Sequence, residues 1–192
     1  MKRVGKAAKA ARKGKSAAWL SDRTDELGYR ISPTVIAKLD SGHRGDVLSV
    51  PELLILAAAL DIPPALLLFP SFPGGTVELL PDDREASGYE AVRWLAGERA
   101  LPARRVDRAR GIHEDPVNVG TQLVAAVRER DRLSLEHLHA DMAAARKDAD
   151  KDAMRLLIDS LDDQLATVNA RIDDLYEQLG VAAASSEESS DG

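Results

Sequence analysis

The chain has 192 residues, 44% of them hydrophobic and 30% charged, with seven aromatic residues and no cysteine. This length allows one compact domain with an appendage or two small ones, and the missing thiols exclude a disulfide scaffold, a thiolate zinc site and a cysteine nucleophile. The net charge of −6 hides an asymmetry: residues 1–50 hold 11 Lys/Arg against 5 Asp/Glu, a net of +6, while residues 51–192 carry a net of −12, so one end suits a polyanion and the other does not.

The hydrophobic share is mostly Ala and Leu, a helix-forming palette short of strand formers. Residues 3–13 read as a helix with Val4, Ala8 and Ala11 on one face. Lys2, Lys6, Lys9 and Lys13 recur on another. Gly14 is a stop, and Ser16 caps a second helix reaching Leu27, with Leu20, Thr24 and Leu27 turned inward. Ser32-Pro33 starts a third helix, which buries Val35, Ile36 and Leu39 and stops at Gly42. Leu53, Leu56, Ala57 and Leu60 share one face of a fourth, and Pro63-Pro64 opens a last apolar turn ending at Pro70.

Phe72-Pro73-Gly74-Gly75 marks a boundary. Beyond it, 71–116 reads as a connector with a short strand at 76–80 and a helix at 86–96, in which Tyr89, Val92 and Leu95 pack. Residues 117–180 read as one long helix or a helical hairpin. Met154, Ile158, Leu161, Leu165, Val168, Ile172, Leu175 and Leu179 follow alternating spacings of 4 and 3, a heptad seam. An upstream track of Leu138, Met142, Ala145 and Ala149 has the same period in another phase, so a stutter or turn is expected in 147–151. The 181–192 tail is acidic and too polar to fold. The longest apolar run, Leu53–Leu60, falls far short of the ~20 residues of a membrane span. No apolar signal core follows the basic start, so a cytoplasmic, nucleoid-associated protein without a membrane partner is expected.

Reading duplex DNA requires a helix that fits the major groove, short side chains on it, and a second helix bracing it. Residues 16–42 have that pattern, with Thr34, Ala37, Lys38 and Ser41 on the outward side of the third helix. Three strings then coincide: Leu20-Ser21; Ile36, Leu39, Asp40 and Gly42; and Leu53, Leu56, Ala57 and Leu60. Residues 3–70 resemble the Cro/Xre-type, lambda-repressor-like helix-turn-helix domain in these strings. The resemblance implies a mainly α protein, with an N-terminal five-helix DNA-binding domain at 1–70 followed by a C-terminal long-helix or coiled-coil module. It implies that Thr34 and Lys38 face bases while Ser16, Ser32, Ser41, His43 and Arg44 approach phosphates. Pro33 stands where the family often has a polar base reader. Asp40 reads as a structural partner for a basic residue of the first helix. Two departures stand out: the Leu20–Ser32 segment is about one turn longer than usual, and the Ala- and Lys-rich first helix is thinly packed, free to fray until DNA is bound.

Lys2, Lys6 and Lys9 are expected to add salt-dependent affinity for the DNA backbone. Ile158, Leu161, Leu165, Val168, Ile172 and Leu175 are expected to mediate self-association as a homodimer, with an intramolecular hairpin as the alternative use of the same seam. Four other features carry less. His137 and Asp141 stand at i, i+4 without a third ligand. Ala96-Gly97 with Ser134 and Lys147 or Lys151 would need a β-rich domain to form a self-cleaving site. Tyr89 and Trp94 read as packing residues, and Arg104, Arg105, Arg108 and Arg110 read as a solvated linker or a second DNA contact. No convergent acid, base or nucleophile set is present, so an enzyme is not expected and no cofactor is required. Ala-, Arg- and Asp-heavy usage fits a high-GC bacterium or its phage, where a prophage-type repressor is a natural role. The sequence-level expectation is a double-stranded DNA-binding transcriptional regulator; the rival is a structural or interaction protein whose coiled-coil region is the working part.

Overall fold

The computed structural model describes residues 2–42, 47–146 and 150–180. His43, Arg44 and the acidic tail after Gly180 lie outside the described residues, as does most of the expected stutter. The protein is mainly helical and ends in a long helix. It divides into two compact units, one from 1–96 and 102–113, the other from 97–101 and 114–192. Among the described residues no helix is long and apolar enough to cross a membrane.

The first unit opens with α1 (Lys2–Ala11), α2 (Ala17–Glu26), α3 (Pro33–Ser41), α4 (Val50–Leu60) and α5 (Pro64–Leu68). Each of α2, α3 and α4 starts on a serine, Ser16, Ser32 and Ser49 in turn, whose hydroxyl accepts a backbone N–H from the first turn of the helix. Ser49 and Glu52 complete a capping box. Gly42, in the left-handed region at φ 72°, ends α3. Leu20, Ile36, Leu39, Leu56 and Leu67 form the centre of a shared core, to which α1 adds Val4 and Ala8.

The Ala- and Lys-rich α1 is not thinly packed. Its small residues bring backbones together: a Cβ on Gly5 would lie 2.0 Å from the Leu39 carbonyl oxygen. The helix is therefore seated on α3 in the protein alone. Leu27, expected inward, is exposed, because α2 ends at Glu26 and Gly28 (φ 84°) turns the chain away.

Residues 71–96 hold the expected strand and helix and one further strand. Strand β1 (Thr76–Leu80) stands where expected and pairs antiparallel with β2 (Arg84–Ser87), Val77 opposite Ala86. β2 lacks a β-branched residue and its C-terminal part falls in the span expected to be helical, so periodicity conceals it. The expected helix is shorter, α6 (Gly88–Leu95), capped by Ser87 and Glu90. Phe69, Val77 and Ala91 make a small core between strand and helix. Tyr89 and Leu95, expected to pack, are exposed, since the small Ala91 takes the buried position. Arg3 ties α1 to this segment, donating to the Glu78 carbonyl at 3.1 Å and stacking over Phe69. Arg84 donates to the Pro102 carbonyl at 3.0 Å, and α7 (Arg105–Arg108) follows.

The second unit is a helical hairpin of α8 (Val119–Ala144) and α9 (Lys151–Leu179). Asn118 and Asp150 cap the two helices, and Gly180 ends α9. Ala126 clusters with Ile172 and Leu175, whereas Leu133 and Ala140 cluster with Leu161, so the helices run antiparallel. The heptad seam of α9 is thus covered by α8 of the same chain, with Ile158, Leu165 and Val168 partly buried along it. The upstream track does not form the inner face: Leu138 and Met142 are exposed, and α8 buries Ala126, Leu133 and Ala140 instead. Two alanines in that row allow α9 a close approach, which larger side chains would obstruct.

Candidate nucleic-acid interface

The site is built on how α2 and α3 are joined. Leu20 and Thr24 are fully buried on α2. The Thr24 hydroxyl donates to the Ser21 carbonyl at 2.8 Å and accepts from the Ile31 amide at 2.9 Å. The Thr24 carbonyl accepts from Tyr29 N–H at 3.1 Å, and the Asp25 carbonyl accepts from Gly28. One threonine therefore closes the turn that delivers the chain to Ser32 and α3.

On α3, Ile36 and Leu39 face the core, while Thr34, Ala37, Lys38 and Ser41 are exposed. These four are the outward residues expected from the sequence. Ser32 is exposed and its hydroxyl accepts from Val35 N–H at 3.4 Å; Ser16 caps α2 by accepting from Trp19 N–H at 3.1 Å. Ser41 donates to the Lys38 carbonyl at 3.1 Å, so its hydroxyl proton is engaged within α3. Pro33 follows the cap and supplies no N–H.

The charge balance of α3 is set from α1. Asp40 is its only acidic residue, and Arg12 Nη2 lies 2.5 Å from Asp40 Oδ2 with both side chains largely buried. The anticipated basic partner is thus Arg12, one residue past the end of α1. With Asp40 neutralised inside, Lys38 is left as the charged group on the exposed face of α3.

Lys2, Lys6 and Lys9 are exposed on the side of α1 away from the core, and none forms an ion pair with a described residue. The stem of Lys2 runs beside Gly42 at the end of α3, where a Cβ would lie 2.9 Å from Lys2 Cγ. Lys15, not among the residues expected from the sequence, has its ammonium 4.2 Å from the Trp19 ring centroid beside the Ser16 cap. A Lys four residues before a Trp across a helix start is the signal that could have pointed to it. Arg104 pairs with Asp107 at 2.9 Å, while Arg105 and Arg110 are exposed.

His137 and Asp141 do meet, at 3.1 Å, but a second carboxylate, Asp162 on α9, lies 3.1 Å from the other ring nitrogen. Both nitrogens are directed at different carboxylates rather than converging on one point. Among the described residues no group of three or more metal-ligating side chains is found.

No family model, curated protein or solved structure matches the chain.

Proposed function

We propose that the protein is a sequence-specific double-stranded DNA-binding transcriptional regulator, a repressor acting in the cytoplasm on the nucleoid, with α3 in the major groove. The observation that carries this reading is the outer face of α3: small side chains and one exposed cation, Lys38, on a helix braced by α2 through Thr24 and by α1 through Arg12–Asp40. Such a face enters a groove without obstruction, and Thr34 and Lys38 carry hydrogen-bonding groups to base edges. Ser16 and Ser32 stand at helix starts, where free amides and the helix dipole favour phosphate. Lys2, Lys6 and Lys9 supply charge for the backbone. Regulation is then occlusion of a promoter, with no covalent chemistry.

The test is selection of bound fragments from random double-stranded DNA by the full-length protein. One enriched motif is expected, whose information weakens at one position in Lys38→Ala. Absence of any enriched motif overturns the reading. A second reading, a protein-interaction module, is favoured by exposed apolar residues on the hairpin; under it Lys38→Ala is silent and no motif emerges.

A further inference from the structure

With the seam of α9 covered, α8 still carries a second stripe on its opposite side. Arg128, Asp131, Leu135, Leu138 and Met142 follow spacings of 3 and 4 along it, and Arg146 stands just past the Ala145 cap that ends the helix. Leu135, Leu138 and Met142 are 53%, 53% and 63% exposed. Three large apolar side chains in one row, rimmed by charge, mark a contact surface. We propose that this face of α8 binds a second copy of the chain, the two α8 helices lying antiparallel across a two-fold axis beside Leu138.

The occupant follows from the charges. A two-fold contact must be self-complementary: whatever one copy presents, the other must accept in reverse order. Read backwards against itself about the point between residues 138 and 139, the stripe sets Leu135 against Met142 and Asp131 against Arg146, each pairing occurring twice. Leu138 falls beside the axis, against Leu138 and His139 of the other copy, and opposite charges meet at both ends. Parallel pairing would set Asp131 against Asp131 and Arg146 against Arg146. Within the chain Asp131 contacts only its exposed neighbour Arg130 among the described residues, and Arg146 has no ion pair there. The outer face of α9 cannot serve two copies in the same way. Its exposed Leu156 stands among Asp152, Asp159 and Asp163, which would face like charge. The row from Asp131 to Met142 spans about 16 Å of helix, with Arg146 just past its end, so the contact belongs to the small, reversible class of interfaces.

The contact stands on α8 and on Arg146 just after it, and does not depend on DNA binding. Sedimentation equilibrium of the full-length protein, followed to high micromolar concentration, tests it. A reversible monomer–dimer equilibrium is expected. Leu138→Glu should weaken it by about tenfold or more, since a charge would enter the apolar centre. Asp131→Arg and Arg146→Asp should each weaken it several-fold, and the two combined should restore it. All these side chains are exposed, and equal helix content by circular dichroism checks that the hairpin is intact. A monomer at every concentration overturns the proposal. So does a dimer indifferent to Leu138→Glu, or a charge exchange that fails to restore pairing.

Discussion

Arg12, just past the end of α1, and Asp40 on α3 form a charge pair taken out of water, and among the described residues the pair is under-partnered. Among the described residues the buried Arg12 Nε and Nη1 and Asp40 Oδ1 have no hydrogen-bond partner. A buried pair in that state adds little net stability over apolar residues, but removing one partner strands the other charge. Asp40→Asn is therefore expected to cost about 3–5 kcal/mol. Arg12→Met with Asp40→Leu should recover most of that stability. Urea unfolding followed by tryptophan fluorescence measures both, because Trp19 and Trp94 lie in the first unit. An unchanged midpoint for Asp40→Asn would show that the pair does not hold α1 on α3. Lys38, fully on the outside, should behave in the opposite way. Lys38→Ala is expected to leave stability within about 0.5 kcal/mol while weakening specific DNA binding by about 1–3 kcal/mol. An equal weakening on all sequences would make Lys38 a phosphate contact instead.

The elements differ in what holds them. The α2–α3 turn depends on one hydroxyl, so the near-isosteric Thr24→Val should destabilise the first unit by about 1–3 kcal/mol by leaving the buried Ile31 amide unpaired; thermal unfolding reads it. On α8, Arg132 reaches Glu129 one turn back and Glu136 one turn ahead, at 2.6 Å to the latter. The hydrogen bond from Arg132, helped by its charge, holds the Glu129 carboxyl below its ordinary value. A carboxyl lowered in the folded state stabilises the fold above its unfolded value, and that contribution disappears as pH falls through the folded value. Both groups are in water, so the effect is small. Helix content measured against pH should be slightly higher for the wild type than for Glu129→Gln near neutrality, and the two curves should converge in acid. Parallel curves throughout would mean the pair contributes nothing. Helices with caps and a single apolar face were legible in the sequence: α3 begins and ends where Ser32 and Gly42 place it, and α4 buries Leu56 and Ala57 as their spacing predicts. β2 was not legible, since its pairing is imposed by β1 rather than by its own residues. The phase of α8 was hidden because Leu138 and Met142 outweigh alanine in a hydrophobic count, whereas close helix packing prefers Ala126 and Ala140.

At the scale of the whole molecule, the charge asymmetry separates a basic start from an acidic remainder, and it bears on the proposed function more directly than any one contact. The outward residues of α3 could be anticipated because Ile36 and Leu39 fix its inner face by spacing alone. The role of Arg12 needed the third dimension, since residues 2–12 hold five lysines and arginines and sequence does not say which turns inward. The other four remain on the surface, and Lys2, Lys6 and Lys9 form one exposed stripe. If that stripe lies along the phosphate backbone, binding releases condensed counterions and affinity falls steeply with salt. Replacing all three with Gln should reduce the slope of log affinity against log salt by about 0.9 for each phosphate no longer neutralised, while the preferred DNA sequence stays the same. Fluorescence anisotropy on one labelled duplex across a salt series measures the slope, and a scrambled duplex supplies the non-specific reference. A reduced slope with an unchanged motif assigns α1 to the backbone and leaves base reading with α3. A slope equal to the wild type's would place the stripe toward solvent and leave the backbone affinity to other cations, of which Lys15 at the start of α2 is the next to replace.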